Sequence, residues 1–228
     1  MTFARYAVYF TPPPGPLSDF GAAWLGWDPA TGQPVDHPSL PGLPAPVQEI
    51  TGSPRKYGLH ATMKPPFRLA RAQTEAALAD AFARFCAKTA PVTLDGLRIA
   101  PLGRFLALTP EGDQTAVNRF ADASVRVFEP FRAPLTEAQI SRRRAGGLTP
   151  EQDALLLRWG YPYVMDAFRF HITLTGKRPR AELPALRDAL DARLAPILQR
   201  PFPIDALSLM GEDETGHFHL IHRHTLTA

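Results

Sequence analysis

Cysteine is almost missing from this chain: Cys86 is its only one, so no intramolecular disulfide can form. It stands beside Phe82, Phe85 and Ala87 on an expected helix, where a thiol serves as a small core residue. Long apolar runs are lacking too. No stretch approaches the roughly 20 apolar residues that cross a bilayer. The opening MTFARYAVYF has neither the basic start nor the long apolar core of a secretory signal. A cytoplasmic protein without a membrane role is therefore the expectation. A large excess of one charge is also absent. Lys+Arg number 25 and Asp+Glu 22, a net of +3. So mild a balance argues against general coating of nucleic acid and is compatible with one local basic site for a small anion.

Proline, by contrast, is abundant. It supplies 25 of 228 residues, about double the ordinary ~5% share. Many prolines lie in residues 12–54, which begin TPPPGP. Proline spread in this way makes stiff loops around compact elements, not a linker between independent domains. A segment of over 40 residues is too long for a simple loop and should pack as a cover. The 45% hydrophobic share supplies a good core for one domain spanning residues 1–228.

The order of elements contains a repeat. Residues 5–10 (RYAVYF) read as a strand, with a short helix near 18–25. Residues 57–64 (YGLHATMK) read as a second strand, stopped by Pro65 and Pro66, which cannot continue a ladder. Leu78, Phe82 and Phe85 predict a helix over about 74–88, followed by strands near 92–99 and 104–109. The second half follows the same plan. A strand over 168–175 (FRFHITLT) leads to a helix over 181–198, then strands near 203–210 and 217–226. Asp95 lies 35 residues after His60, and Asp205 lies 34 after His171. The predicted class is α+β, a bilobal pseudo-twofold duplication. Two small, mainly antiparallel sheets with outer helices would flank a central groove. The lobe with the first motif spans about 50–110 and the lobe with the second about 166–228. A helical insertion over about 130–165 separates them and could form a lid. Its capping boxes pair Thr136 with Gln139 and Thr149 with Gln152, and Gly160 ends the second helix after Trp159.

Strand parity organises the candidate site. Residues i and i+2 share a face. Gly58, His60, Thr62 and Lys64 therefore share one side, as do Arg169, His171, Thr173 and Thr175. Phe168, Phe170, Ile172 and Leu174 make the opposite side of the second strand wholly apolar. Either strand alone reads more readily as a half-exposed edge facing water. Two such strands at matching places in a repeat point instead to one shared groove. Histidine titrates near neutral pH and serves as base or acid. Opening a cyclic phosphodiester with water needs both roles, and threonine hydroxyls can hold the non-bridging oxygens. Lys64 and Arg169 would add charge, and Arg132 stands alone in the apolar loop FRAPL. Tyr9 and Tyr163 could stack on or hydrogen-bond a ligand, though core packing explains them equally well. The run Arg142, Arg143, Arg144 reads first as a solvated helix face, with one arginine reaching a phosphate if the insertion is a lid. His217, His219, His222 and His224 invite a metal reading, but the two pairs fall on opposite strand faces. A half-exposed terminal strand is the expectation there.

YGLHATMK and FRFHITLT resemble the paired His-x-Thr/Ser motifs of the 2H phosphoesterase superfamily. That superfamily includes RNA 2',3'-cyclic phosphodiesterases and 2'-5' RNA ligase-like proteins. The resemblance implies a bilobal α+β duplication with both motifs in a central groove and catalysis without metal or cofactor. It carries over His60, Thr62, His171 and Thr173 as catalytic residues. More narrowly, RYAVYFTPPPG, YGLHATMKPPF, FRAPLTEAQISRRR, RWGYPYV and FRFHITLTG resemble a bacterial branch named for phosphonate metabolism. This closer likeness covers most of the chain and implies a small sugar cyclic phosphate, such as a ribose 1,2-cyclic phosphate. The expected function is a metal-independent cyclic phosphodiesterase acting on a small nucleotide or sugar phosphate. Two other readings stand beside it. One is a module that binds a phosphorylated ligand without turnover. The other is an RNA end-processing or 2'-5' ligase-like enzyme, against which the weak net charge counts.

Overall fold

Alternation along the first strand sets the two sides of the molecule. The computed structural model describes residues 2–228. In β1 (Arg5–Phe10), Tyr6, Val8 and Phe10 enter the main core, while Ala7 and Tyr9 join a smaller cluster on the other face. The proline-rich segment follows as α1 (Pro16–Leu25), a ribbon of β2 (Trp27–Asp28) and β3 (Gln33–Pro34), and the single turn α2 (Val47–Ile50). Two indoles fasten it. Trp24 Nε1 donates to the Leu174 carbonyl at 2.7 Å and Trp27 Nε1 to that of Phe218 at 2.9 Å. It packs as the expected cover.

The first motif leads β4 (Ala61–Phe67), followed by α3 (Glu75–Ala87), β5 (Val92–Leu94), β6 (Leu97–Leu102) and β7 (Phe105–Pro110). Thr74 caps α3, accepting from the Ala77 amide at 3.1 Å. Next come α4 (Thr115–Phe128), α5 (Glu137–Arg144) and α6 (Pro150–Trp159). Both expected capping boxes are formed, and Gly160 closes α6 at φ 75°. The second motif leads β8 (Ile172–Thr173), followed by α7 (Leu183–Leu194), β9 (Phe202–Ile204), β10 (Ala206–Glu212) and β11 (Phe218–Thr225). Leu78, Phe82 and Cys86 of α3 and Leu186, Leu190 and Leu194 of α7 belong to one continuous core. Full burial of each Leu or Phe contributes about 1.5–3 kcal/mol. No helix among the described residues is long and apolar enough to cross a membrane.

The α+β class and antiparallel pairing hold, and the details of the sheet sharpen them. Seven strands form one ladder in the order β11-β10-β1-β4-β8-β7-β6. The two small sheets expected from the repeat thus meet edge to edge at β4 and β8. The hairpins are also exchanged. The β6–β7 hairpin, from the first half of the chain, pairs with β8, whereas β10–β11 pairs through β1 with β4. The structural halves therefore differ from the contiguous stretches 50–110 and 166–228. Helices follow the exchange, with α3 against β10 and β11 and α7 against β6 and β7. The strand expected over 92–99 breaks at Asp95 and Gly96. Its first part pairs with β9 and its second with β7.

Two further departures lie in the motif strands. β4 runs through Pro65 and Pro66 instead of stopping before them. Register shifts between Tyr6 and Val8, and again between Val8 and Tyr9, mark bulges in the pairing with β1. A bulge leaves a residue outside the ladder, so missing proline N–H groups cost little there. β8 is only two residues long, because residues 168–171 join no ladder.

Candidate active site

Each motif histidine sits one residue before its paired segment. Ala61 of β4 and Ile172 of β8 are direct antiparallel partners. Continuing that register by one residue sets His60 opposite Thr173 and Thr62 opposite His171. Opposed Cβ atoms in such a pair lie about 4.5–5.5 Å apart. The two motifs thus flank the Ala61–Ile172 pair symmetrically, and the pseudo-twofold centre falls on it.

The symmetry extends to the imidazole tautomers. His60 Nδ1 lies 3.0 Å from the Gly58 carbonyl oxygen, and His171 Nδ1 lies 2.8 Å from that of Arg169. A carbonyl only accepts, so both Nδ1 atoms carry a proton and donate it. Each Nε2 is left for chemistry in the groove. Gly58 is required for its half of this device. Its φ is +68°, and a Cβ there would come within 2.1 Å of Pro29.

Aromatic rings pack around His60. The Tyr9 ring lies 4.1 Å from it and the Tyr57 ring 5.5 Å, centroid to centroid. Burial among them pushes the His60 pKa down to about 4, with the Gly58 hydrogen bond opposing the shift and the nearby His171 adding to it. At neutral pH His60 is uncharged, and its Nε2 is an acceptor.

The groove is a cavity of about 650 Å³. His60, Thr62, His171 and Thr173 all line it, as do Arg169, Tyr9 and Tyr163 from the sequence reading. Neither the Thr62 nor the Thr173 hydroxyl bonds to another described residue, so both are available to a ligand oxygen. Arg169 is held in place, its Nη1 donating to the Asp166 and Phe168 carbonyls at 3.1 and 2.6 Å.

Lys64 and Arg132 do not line this groove. The second bulge in β4 inverts side-chain parity at Met63, so Lys64 turns beneath α4. There its Nζ donates to Glu129 at 2.6 Å and to the Val125 carbonyl at 3.1 Å. Arg132 binds the other oxygen of the same carboxylate at 2.6 Å. Both cations thus serve one structural ion cluster. Strict parity would place Lys64 on the face of His60 and Thr62, and only the strand pairing corrects it.

Several groove residues escaped the sequence reading. Arg5 shares the β1 face of Tyr9, a parity signal that was available. Arg143 alone of the three-arginine run reaches the groove, its guanidinium 4.7 Å from the Tyr161 ring. Tyr57 and Lys177 line it too, beside Thr175, which strand parity places on the face of His171. A strand over 57–64 would put Tyr57 on the face opposite His60, but it belongs to a short turn of 3-10 helix before β4.

None of the four C-terminal histidines lines the groove. His219 bonds Asp213 at 2.8 Å, and His217 bonds Thr215 at 2.9 Å. Burial alone would raise the Asp213 carboxyl, but hydrogen bonds from His219, Thr215 and backbone amides hold it well below the usual range. His224 packs on Phe82. Among the described residues, no group of three or more His, Cys, Asp or Glu side chains is arranged to hold a metal ion.

Residues 62–219, more than two thirds of the chain, match the family model DUF1045, described as a protein of unknown function. The chain belongs to this family. It is 39% identical over 221 residues to the ribose 1,5-bisphosphate phosphokinase PhnN of Janthinobacterium sp. (strain Marseille), covering 94% of this chain and 49% of that protein. It is 34% identical over 220 residues to the protein of the same name from Laribacter hongkongensis (strain HLHK9), covering 93% and 49%. The chain thus spans about half the length of these curated relatives. Among solved structures it is similar to a phosphoesterase, at TM-score 0.44 and 16% identity over 100% of both chains. It is also similar to E. coli LigT complexed with 3'-AMP, at TM-score 0.45 and 13% identity over 100% of both chains.

Proposed function

We propose that this protein is a metal-independent phosphodiesterase that opens a cyclic phosphate on a small nucleotide or sugar phosphate. The observation that carries the reading is the matched pair of imidazoles in one groove. Each has Nδ1 fixed on the carbonyl two residues before it and Nε2 without a partner among the described residues, and both line one cavity with Thr62 and Thr173.

The chemistry gives the two imidazoles opposite roles. Neutral His60 takes a proton from water through Nε2 as the water oxygen bonds to phosphorus. The bond from phosphorus to one ester oxygen breaks, and a protonated His171 Nε2 gives that oxygen its proton. The product is a phosphate monoester beside a free hydroxyl. Thr62 and Thr173 donate hydrogen bonds to the non-bridging oxygens, where charge accumulates. In the reverse direction the two histidines exchange roles.

The phosphonate-branch motifs and the name shared by the two curated relatives both support a sugar phosphate as substrate. A cytoplasmic setting fits that chemistry. The test is a panel of 2',3'-cyclic nucleotides and a ribose 1,2-cyclic phosphate, followed by ³¹P NMR with and without EDTA. Conversion to a monoester that persists in EDTA is expected. Binding without conversion of any member would favour a non-catalytic module. Conversion abolished by EDTA would contradict the metal-independent route.

A further inference from the structure

Beside the groove lies a second cavity of about 310 Å³. Five arginines line it (Arg5, Arg68, Arg132, Arg142 and Arg143), and no carboxylate does. Two of the five are neutralised by partners outside the cavity, Arg5 by Glu212 and Arg132 by Glu129. Arg68, Arg142 and Arg143 have no acidic partner among the described residues. Three uncompensated like charges around one hollow repel one another and concentrate a positive potential that an anion relieves. The volume is that of about ten waters at ~30 Å³ each, ample for a phosphoryl group.

The hollow is not isolated. Arg5, Pro66 and Arg143 line both it and the groove. A ligand with its cyclic phosphate between the motif histidines could therefore extend past Arg143 into this annex.

We propose that the annex is a second anion subsite, which takes a phosphoryl group that the substrate carries away from its cyclic phosphate. This deepens the phosphodiesterase reading and rests on it. It narrows the substrate to a sugar or polyol with two phosphates, one of them cyclic. A nucleoside cyclic phosphate would bring an uncharged base to this wall, where arginine forks match phosphate oxygens. The five arginines share one hollow of about 310 Å³, a volume that suits a small dianion.

The test separates the subsite from the catalysis. Binding of ribose 5-phosphate and of ribose is measured calorimetrically for the wild type, the double variant R68Q/R142Q, and H60A/H171A. Arg68 and Arg142 are exposed and line the annex alone, so their loss leaves the core intact. The subsite predicts binding of ribose 5-phosphate but not ribose, about tenfold weaker in R68Q/R142Q. It also predicts unchanged affinity in H60A/H171A and weakening as salt rises. Equal affinity in R68Q/R142Q and wild type, or no preference for the phosphorylated sugar, overturns the subsite. These readouts need no turnover, so failure of the phosphodiesterase reading remains a separate result. The same measurement on a short oligoribonucleotide ending in a 2',3'-cyclic phosphate tests the choice of a small substrate. Binding at least about tenfold tighter than ribose 5-phosphate, lost in R68Q/R142Q, overturns that choice.

Discussion

The Tyr9 ring packs 4.1 Å from the His60 imidazole at 31° between planes, and Tyr9 itself is fully buried. The contact holds His60 in one orientation and removes water from one of its faces. Tyr9→Leu should lower kcat about tenfold, since small misplacement of a reacting group is costly, while KM changes little. It should also destabilise the fold by about 2–4 kcal/mol, as for other large buried aromatics. Steady-state kinetics beside urea unfolding checks both parts, and unchanged kcat would remove Tyr9 from the positioning role.

His60 also makes stability depend on pH. Its folded pKa of about 4 lies below the ordinary value of 6.5. Between these values the unfolded chain binds the extra proton and the folded chain does not. Stability from this group is therefore fully present above about pH 6.5 and is lost as pH falls towards 4. Urea midpoints measured across that window should fall with acidity in the wild type and fall less in His60→Gln. Parallel slopes would contradict the assignment.

The threonines should act on the transition state. Thr62→Val and Thr173→Val each remove one donor to the non-bridging oxygens while keeping side-chain shape. Each should lower kcat by about 10- to 100-fold with little change in KM, somewhat below the loss of a sole oxyanion donor because the load is shared. A change confined to KM would indicate ground-state binding only.

Lys64 is expected to matter for stability alone. Its ammonium is buried against Glu129, whose side chain is 22% exposed. Glu129→Gln leaves that charge poorly compensated and should cost about 2–3 kcal/mol, less than the ~3–5 kcal/mol of a fully buried pair. Lys64→Met should cost less than Glu129→Gln, because Glu129 keeps Arg132. The kcat/KM of the folded fraction should stay unchanged in Lys64→Met. A large fall there would return Lys64 to the groove.

Local signals in the sequence were read correctly, and pairing between distant strands was not. The two capping boxes, the Gly160 terminus and the helices α3 and α7 depend on residues within a turn or two of each other. That His60, Thr62, His171 and Thr173 share one groove was legible because His and Thr two apart need only an extended backbone to share a face. Lys64, two residues further, was misread because the bulge at Met63 depends on β1, more than fifty residues away. Pro65 and Pro66 misled for the same reason, since a bulged strand tolerates what a regular ladder rejects. Arg132 had a local counter-signal in Glu129 at i−3, which would have marked it as paired. The exchange of hairpins between the halves had none, because either hairpin satisfies the same local pattern.

The central claim is that His60 and His171 act together as base and acid. The most direct test is the single-turnover rate of cyclic phosphate opening in EDTA-treated protein, for wild type, H60A, H171A and the double variant. Each single variant should lose about 10²–10⁴ in rate. The double should fall little below the weaker single, because the two groups act in one step. Wild-type rates in either single variant would contradict the account.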